Sequence, residues 1–146
     1  VTYEGFAPHR VPVIVECLTE NRNRTASDIR LIFRAAQLGN TGSVAWMFDR
    51  VGLVEGTHAE SRDLESDAIE AGAQDFEDAS PGGRFFTDPS DLDKVTRALQ
   101  SLGWNITQSE LSYQAKNKVT LDEAQKGEVV AFLNEVDDQD DVHRIY

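Results

Sequence analysis

The side chains best suited to chemistry form one short stretch, Asn21-Arg22-Asn23-Arg24, between an apolar run and a run with helical spacing. The start of a helix leaves backbone N–H groups without partners and carries partial positive charge. Two guanidinium groups beside such a start would add forked donors. Arg30 and Arg34 lie four residues apart, so they share one face of the following helix. The stretch therefore predicts a site for phosphate or carboxylate, nucleic-acid phosphate included.

The same stretch also has a purely structural interpretation. Asn21 and Asn23 are residues that form turns readily, because their side chains bond to nearby backbone groups. The two arginines would then pair with Glu20 or Asp28 on the protein surface. The sequence leaves both interpretations open.

The distribution of charge limits the kind of surface that could bind nucleic acid. The net charge is −12, but residues 1–50 carry +1, residues 51–115 carry −9 and residues 116–146 carry −4. Affinity for duplex phosphates comes from Lys and Arg contacts that release counterions. A chain this acidic should not bind DNA over its whole surface, but a local basic patch in residues 1–50 is compatible with the charge.

No other group of residues forms a recognisable site. His9, His58 and His143 are scattered, with no helical pair and no cysteine partner, so no zinc site is expected. Cys17 stands in an apolar run, where a free cysteine usually packs as a small hydrophobe. There is no glycine-rich phosphate loop of a common type. We therefore expect no cofactor, no metal ion and no enzymatic activity.

The elements that must position the arginines begin with a strand. The β-branched run at 11–18 predicts a largely buried strand. Thr25, followed by an acid three residues later, predicts the N-cap of a helix over 26–37. The segments 43–48 and 51–55 then predict two strands joined as a hairpin.

The middle of the chain repeats one pattern. A helix over 64–71 is followed by a strand over 74–79, which a Pro-Gly-Gly turn joins to a strand over 84–87. A helix over 92–102 and a strand over 104–113 follow. Two helix–strand units around a hairpin are typical of a split βαβ, or ferredoxin-like, sandwich.

The last residues predict a helix that begins at 120–123 and a final strand over 142–146. Together with the first part of the chain they complete a second domain. The predicted fold class is α+β, with two ferredoxin-like α/β-sandwich domains, the second inserted into the first. The predicted boundaries are 1–57 with 119–146 for the discontinuous domain, and 58–118 for the inserted domain.

The sequence contains no apolar run near the ~18 residues of a membrane span. Its first ten residues lack the apolar core of a secretory signal, and a single cysteine fits a reducing compartment. We therefore expect a cytoplasmic location and no membrane partner.

Six motifs, spread over nearly the whole chain, resemble those of the YebC/PmpR family in the family's order. They are Tyr3-Glu4-Gly5-Phe6-Ala7-Pro8, residues 13–25, Gly42-Ser43-Val44-Ala45-Trp46-Met47-Phe48, Glu70-Ala71-Gly72-Ala73, Phe86-Thr87-Asp88-Pro89 with Asp91-Leu92, and residues 140–146.

The resemblance implies that this chain corresponds to the family's second and third domains, with the third inserted into the second. The basic helical domain that comes first in family members is not part of it. The resemblance also implies a non-enzymatic protein, since members are described as probable transcriptional regulators that bind DNA. The family's mitochondrial relatives resemble translational activators, and some bacterial members resemble ribosome-associated factors. One motif departs from the family, which has Gly-Pro-Gly-Gly where this chain has Ala7-Pro8-His9-Arg10. The change removes backbone freedom and adds two side chains that could contact phosphate.

Two functional hypotheses follow. In the first, the chain belongs to a regulator that binds DNA or ribosomal RNA, and five arginines supply a secondary surface that positions the nucleic acid without reading bases. In the second, the acidic inserted domain, 58–118, docks basic proteins such as ribosomal proteins. The five candidate nucleic-acid-binding residues are Arg10, Arg22, Arg24, Arg30 and Arg34.

Overall fold

The chain forms eight β-strands and four α-helices, and the strands make up two separate four-stranded sheets. The computed structural model describes all of residues 1–146. In chain order the strands are β1 (Thr2–Ala7), β2 (Val11–Cys17), β3 (Gln37–Leu38), β4 (Phe48–Thr57), β5 (Asp75–Ala79), β6 (Gly82–Thr87), β7 (Asn105–Ala115) and β8 (Val142–Ile145). The helices are α1 (Arg22–Ile32), α2 (Leu64–Ala71), α3 (Leu92–Ser101) and α4 (Glu123–Asp137). The predicted α+β fold class is confirmed.

The chain divides into two units. The first unit is Val1–Asp49 with Ala115–Tyr146, and the second is Arg50–Gln114, so the second is inserted into the first. The sequence placed these boundaries at 57/58 and 118/119. The first boundary lies earlier in the structure because β4 pairs with β6 from its residue Gly52 onwards and so belongs to the second sheet. The second lies earlier because β7, the last strand of that sheet, ends at Ala115.

The sheet of the first unit has the strand order β3-β1-β2-β8. Strands β1 and β2 form an antiparallel hairpin, with Thr2 opposite Glu16 and Ala7 opposite Val11. Val13, Val15 and Cys17 alternate along β2 and pack with α1 and α4, while Ile14, on the opposite face of the strand, is also buried. Phe33 and Phe132 meet edge to face, with ring centroids 5.1 Å apart. The core of this unit consists of Ala7, Val13, Val15, Cys17, Ile29, Phe33, Val129, Phe132 and Val136.

The sheet of the second unit has the order β5-β6-β4-β7, and the chain runs through it as strand, helix, strand, strand, helix, strand. This is the path of a split βαβ sandwich. The left-handed Gly72 (φ 86°) ends α2, as glycine does at many helix ends. Trp104 packs edge to face on Phe85, with centroids 5.1 Å apart. Val54, Ala68, Ala71, Val95 and Leu99 complete this core.

The predicted hairpin at 43–48 and 51–55 was wrong. Residues Ala45–Met47 form a short 3-10 helix, and β4 then runs without a turn from Phe48 to Thr57. Asp49-Arg50, the residues expected to turn, lie inside the strand. They lack the glycine or asparagine that a two-residue hairpin needs, and pairing of β4 with β6 and β7 stabilises the extended chain.

Helix α4 begins as a capping box. Asp122 accepts a hydrogen bond from the Gln125 backbone, and the Gln125 side chain accepts one from the Asp122 backbone. Its buried residues are Val129, Phe132 and Val136, whereas Val130 is exposed. None of the helices combines the length and the apolar character needed to span a membrane.

Candidate nucleic-acid interface

The Asn-Arg-Asn-Arg stretch lies at the start of α1 and is mostly helical. Asn21 has non-helical backbone angles and is the N-cap, because its Oδ1 accepts a hydrogen bond from the Arg24 backbone N–H at 3.1 Å. The helix therefore begins at Arg22, and the predicted N-cap at Thr25 was wrong. Asparagine is as good an N-cap as threonine. Thr25 is instead buried one turn inside the helix.

Arg24 is paired within the protein. Its guanidinium donates to both carboxylate oxygens of Asp141, at 3.3 and 3.2 Å. The same carboxylate accepts from the Thr25 hydroxyl at 2.7 Å and from the Gln139 amide at 3.2 Å. The Thr25 hydrogen bond, followed by those of Gln139 and Arg24, holds the pKa of Asp141 below its ordinary value. This cluster ties α1 to the segment before β8.

A cavity beside the start of α1 is unsuited to phosphate. It is lined by Leu18, Thr19, Glu20, Asn21, Arg24 and Asp141. Two of these residues are carboxylates, which repel an anion and offset the partial positive charge of the helix start. Any phosphate contact by this helix must therefore use its side rather than its end.

Arg22, Arg30 and Arg34 are the arginines that remain available on this part of the chain. All three side chains are exposed, and none forms an ion pair. Arg22 and Arg30 are eight residues apart on α1, so they lie on one side of the helix, two turns apart. Both lie near Tyr3: burial raises the pKa of the Tyr3 phenol, while the charges of Arg30 and Arg22 partly oppose that rise.

Arg10 lies apart from the other four candidates. It ends the short 3-10 turn Pro8–Arg10 between β1 and β2, where His9 (φ 65°) and Arg10 (φ 59°) both adopt left-handed backbone angles. These are the positions at which the resemblance leads one to expect glycines, the residues that adopt this conformation without strain. The His9 imidazole meets the Glu128 carboxylate at 2.6 Å, whereas Arg10 lines a second cavity.

The second cavity has a volume of about 640 Å³ and no carboxylate in its wall. Its charged members are Arg10 and Lys116, and its aromatic members are Phe6 and Trp46, of which Trp46 is 65% exposed. The other lining residues are Pro12, Gln37, Met47, Asn117 and Val119. Lys116 is held at this wall by its backbone N–H, which donates to the Met47 carbonyl at 2.9 Å.

A buried carboxylate holds the loop that carries Trp46. Glu4, only 7% exposed, accepts backbone N–H groups from Gly42 at 2.6 Å, Val44 at 3.1 Å and Ala45 at 2.7 Å. Burial alone would raise the pKa of Glu4, but the three N–H donors outweigh it and lower the pKa. We call residues 42–47 the Trp46 loop. Sequence reasoning missed the roles of Glu4, Trp46 and Lys116, although the first two belong to the quoted family motifs.

The single cysteine and one of the histidines are held within the fold. Cys17 is buried, and burial raises the pKa of its thiol. His58 contacts the Leu102 carbonyl at 2.9 Å. No group of three or more His, Cys, Asp or Glu side chains is placed to hold a metal ion.

Fold and surface define a two-unit α+β protein with an arginine-bearing helix and an open, carboxylate-free cavity. The chain belongs to the TACO1/YebC family, because the family model described as "TACO1/YebC second and third domain" matches residues 1–146. The resemblance noted in the sequence is thus confirmed.

Curated relatives match the entire chain. It is 51% identical to a probable transcriptional regulatory protein of Bdellovibrio bacteriovorus and 52% identical to one of Pseudomonas fluorescens. In both cases the match covers 100% of this chain and 64% of the relative, so the chain spans about two thirds of the length of these proteins. The crystal structure of a conserved hypothetical protein from Aquifex aeolicus matches with a TM-score of 0.91 at 34% identity, over 100% of this chain and 62% of that one.

Proposed function

We propose that the chain is part of a non-enzymatic regulator of gene expression that binds DNA, with Arg10, Arg22, Arg24, Arg30 and Arg34 as its contact residues. The names of the curated relatives support a role in regulation. The observation that carries the proposal is that Arg22, Arg30 and Arg34 are exposed and unpaired in a chain with a net charge of −12.

Guanidinium groups on the side of α1 are suited to phosphate. Each offers a planar fork of donors that matches two phosphate oxygens. Such contacts fix the position of a nucleic acid but carry no sequence information. Arg24 would contribute less than its neighbours, because binding a phosphate would require it to leave Asp141. The surface therefore supports a positioning role of moderate affinity.

The second unit supports a different candidate role, docking of a basic protein. Residues 51–115 carry a net charge of −9. Their arginines are largely engaged, because Arg62, Arg84 and Arg97 each pair with an acid of the same unit. The acidic side chains that remain would attract a basic partner and repel nucleic acid.

The decisive test compares two variants that each remove two positive charges. Arg22→Gln/Arg30→Gln should weaken binding to a labelled DNA duplex and lower the salt dependence of log K by about 2, since each phosphate contact contributes about 0.9. Lys94→Gln/Arg97→Gln, on α3, removes the same charge from the second unit and should leave both unchanged. The measurement is fluorescence anisotropy across a salt series.

A ribosomal RNA fragment in the same assay separates the two nucleic-acid targets, because RNA offers the same phosphates on a different helix. Tighter binding to RNA than to DNA would replace transcription with translation as the regulated step. Equal losses in the two charge variants would overturn the α1 surface as the contact.

A further inference from the structure

We infer that the cavity around Trp46 is a binding site for an unpaired nucleotide, whose base stacks on the indole and whose phosphate is held by Arg10 and Lys116. The inference goes beyond the duplex contact proposed for α1, although it shares Arg10 with that proposal. Unpaired bases occur in single-stranded DNA and in RNA, and the site chemistry is the same for both.

The first argument is the exposure of Trp46. A tryptophan that is 65% exposed leaves most of a large apolar surface in water, which is unfavourable unless a partner covers it. Its indole N–H already donates to the Ser43 carbonyl at 3.0 Å. This hydrogen bond holds the ring by its edge and leaves its faces free for stacking. Stacking of bases on exposed aromatic rings is how proteins hold single strands.

The second argument is the rigidity of the platform. The Trp46 loop is clamped by the three hydrogen bonds to Glu4, and the Val44 side chain within it is fully buried. Gly42 (φ 89°) provides the left-handed turn that brings the loop back to Glu4. A pre-positioned ring loses little conformational freedom on binding. A loop that served only as a connection would not need a buried carboxylate for its hydrogen bonds.

The third argument is the chemistry of the remaining wall. Arg10 and Lys116 are cations, and the only ion pair of either is a weak one at 3.9 Å between Lys116 and the exposed Asp49. No carboxylate lines the cavity, although the chain has 26 acidic residues. Gln37 and Asn117 supply amides, which can both donate to and accept from the edge of a base. The volume of about 640 Å³ lies within the range of small-ligand cavities.

Arg10 supplies a further indication. The side chain is attached to backbone in the left-handed region, which is strained for any residue except glycine. Strain of this kind tends to accumulate at binding sites. The left-handed turn carries the Arg10 side chain to the cavity wall that Trp46 and Lys116 share.

The test uses the full chain and three labelled oligonucleotides of matched sequence: a six-nucleotide RNA, the corresponding single-stranded DNA, and a duplex. Fluorescence anisotropy gives the affinities, and tryptophan emission reports stacking. Trp104 is buried, so Trp46 is the tryptophan that an added base can quench. We expect both single strands to quench the emission and the duplex not to do so.

Variants then assign the effect. Trp46→Ala should weaken single-strand binding by between about 5-fold and 150-fold, the range for one stacked base, while Trp46→Phe retains most of the affinity. Lys116→Gln should lower the salt dependence of log K by about 0.7. Lys126→Gln, an exposed lysine on α4, is the matched control and should change neither.

Single-strand binding that leaves the emission of the parent protein unquenched and survives Trp46→Ala would overturn the site. It would leave the α1 surface proposal intact. Absence of binding to all three oligonucleotides would overturn both. Emission from Trp46 that depends on protein concentration and not on oligonucleotide would identify the cavity as a contact with a second copy of the chain, and would also overturn the inference.

Discussion

The chain has two tryptophans, one in each unit, and they have opposite environments. Trp46 in the first unit is 65% exposed, and its indole N–H bonds only to a neighbouring carbonyl in its own loop. Trp104 in the second unit is 5% exposed, packs on Phe85, and donates to the buried Asp67 carboxylate at 2.9 Å. The first ring is available to a partner, whereas the second stabilises its own domain.

The cations of the two units differ in the same way. In the second unit, Arg62, Arg84 and Arg97 pair with carboxylates of that unit, and Arg50 lies over the Tyr113 ring at 4.5 Å. In the first unit, Arg10, Arg22, Arg30 and Arg34 have no such partner. The comparison indicates that net charge alone is a poor guide to binding. What matters is whether a cation is already engaged.

The largest expected effect is on the second unit and comes from Asp67→Ala. The carboxylate is 2% exposed and accepts from both Arg62 and Trp104. Its loss leaves the indole N–H buried without an acceptor, which should lower the free energy of unfolding by about 3 kcal/mol. Urea unfolding followed by circular dichroism measures the change.

Asp93→Ala is the control for this experiment. Asp93 is exposed and pairs with Arg97 one helical turn away. Such pairs contribute little to stability, so the variant should unfold at nearly the same urea concentration as the parent. Equal destabilisation by the two variants would mean that burial of Asp67 has no special importance.

A somewhat smaller effect is expected in the first unit from Glu4→Gln. An amide oxygen can replace part of the carboxylate, but the amide NH₂ would face a backbone N–H that has lost its acceptor. We expect a loss of about 2 kcal/mol in the free energy of unfolding and a change in the quenching of Trp46 by acrylamide. Glu16→Gln, on the adjacent strand β2, removes the same charge and should alter neither. An unchanged Trp46 signal would show that Glu4 does not position the loop.

Both buried carboxylates should also make stability fall in acid. The bonds to Arg62 lower the pKa of Asp67 despite its burial, and burial of Glu4 is outweighed by backbone donors that lower its pKa. A group whose pKa is lower in the folded state stabilises the fold above its unfolded pKa, and this contribution is lost as pH falls through the folded pKa. The unfolding temperature should therefore decline below about pH 4. The combined Asp67→Asn/Glu4→Gln variant should show a flatter decline, and an equally steep one would assign acid sensitivity to other groups.

The sequence predicted the second unit better than the first because its signals are local. Helix periodicity, Gly72 as a helix end and the Pro-Gly-Gly turn each act within a few residues, and they led to the observed path from α2 to β7. In the first unit the decisive contacts are distant in sequence. Thr25 donates a hydrogen bond to Asp141, and Glu4 accepts hydrogen bonds from the backbone of residues 42–45. No pattern near Thr25 distinguishes a helix cap from a buried hydroxyl.

The candidate site could be predicted in part for the same reason. The spacing predicted that Arg30 and Arg34 share one face of a helix, but α1 ends at Ile32 and Arg34 lies in the 3-10 turn Phe33–Ala35 that follows. It could not show that Asp141, more than a hundred residues later, would engage Arg24. Strand β1 and the exposure of Trp46 were also missed, since 43–48 has the composition of a strand and its true conformation depends on Glu4.

The smallest expected effect has opposite signs for stability and for binding. Arg10→Gly removes the strain of a left-handed non-glycine residue, about 1 to 2 kcal/mol, and increases the entropy of the unfolded chain by roughly 0.4 to 1 kcal/mol. The net gain in the free energy of unfolding should be about 0.5 kcal/mol, because Arg10 has no ion pair to lose. The same variant should weaken binding of the six-nucleotide RNA, since one phosphate contact is removed.

Arg10→Ala is the variant that separates the two effects. It removes the guanidinium but keeps a Cβ on the left-handed backbone, so it should weaken binding as much as Arg10→Gly without any gain in stability. If both variants bind as the parent does, Arg10 lies outside the nucleotide site, and its strained conformation serves the turn between β1 and β2. If both variants weaken binding and only Arg10→Gly raises the free energy of unfolding, the protein keeps Arg10 for binding although it lowers stability. The paired arginines of the second unit, by contrast, do not occupy strained backbone.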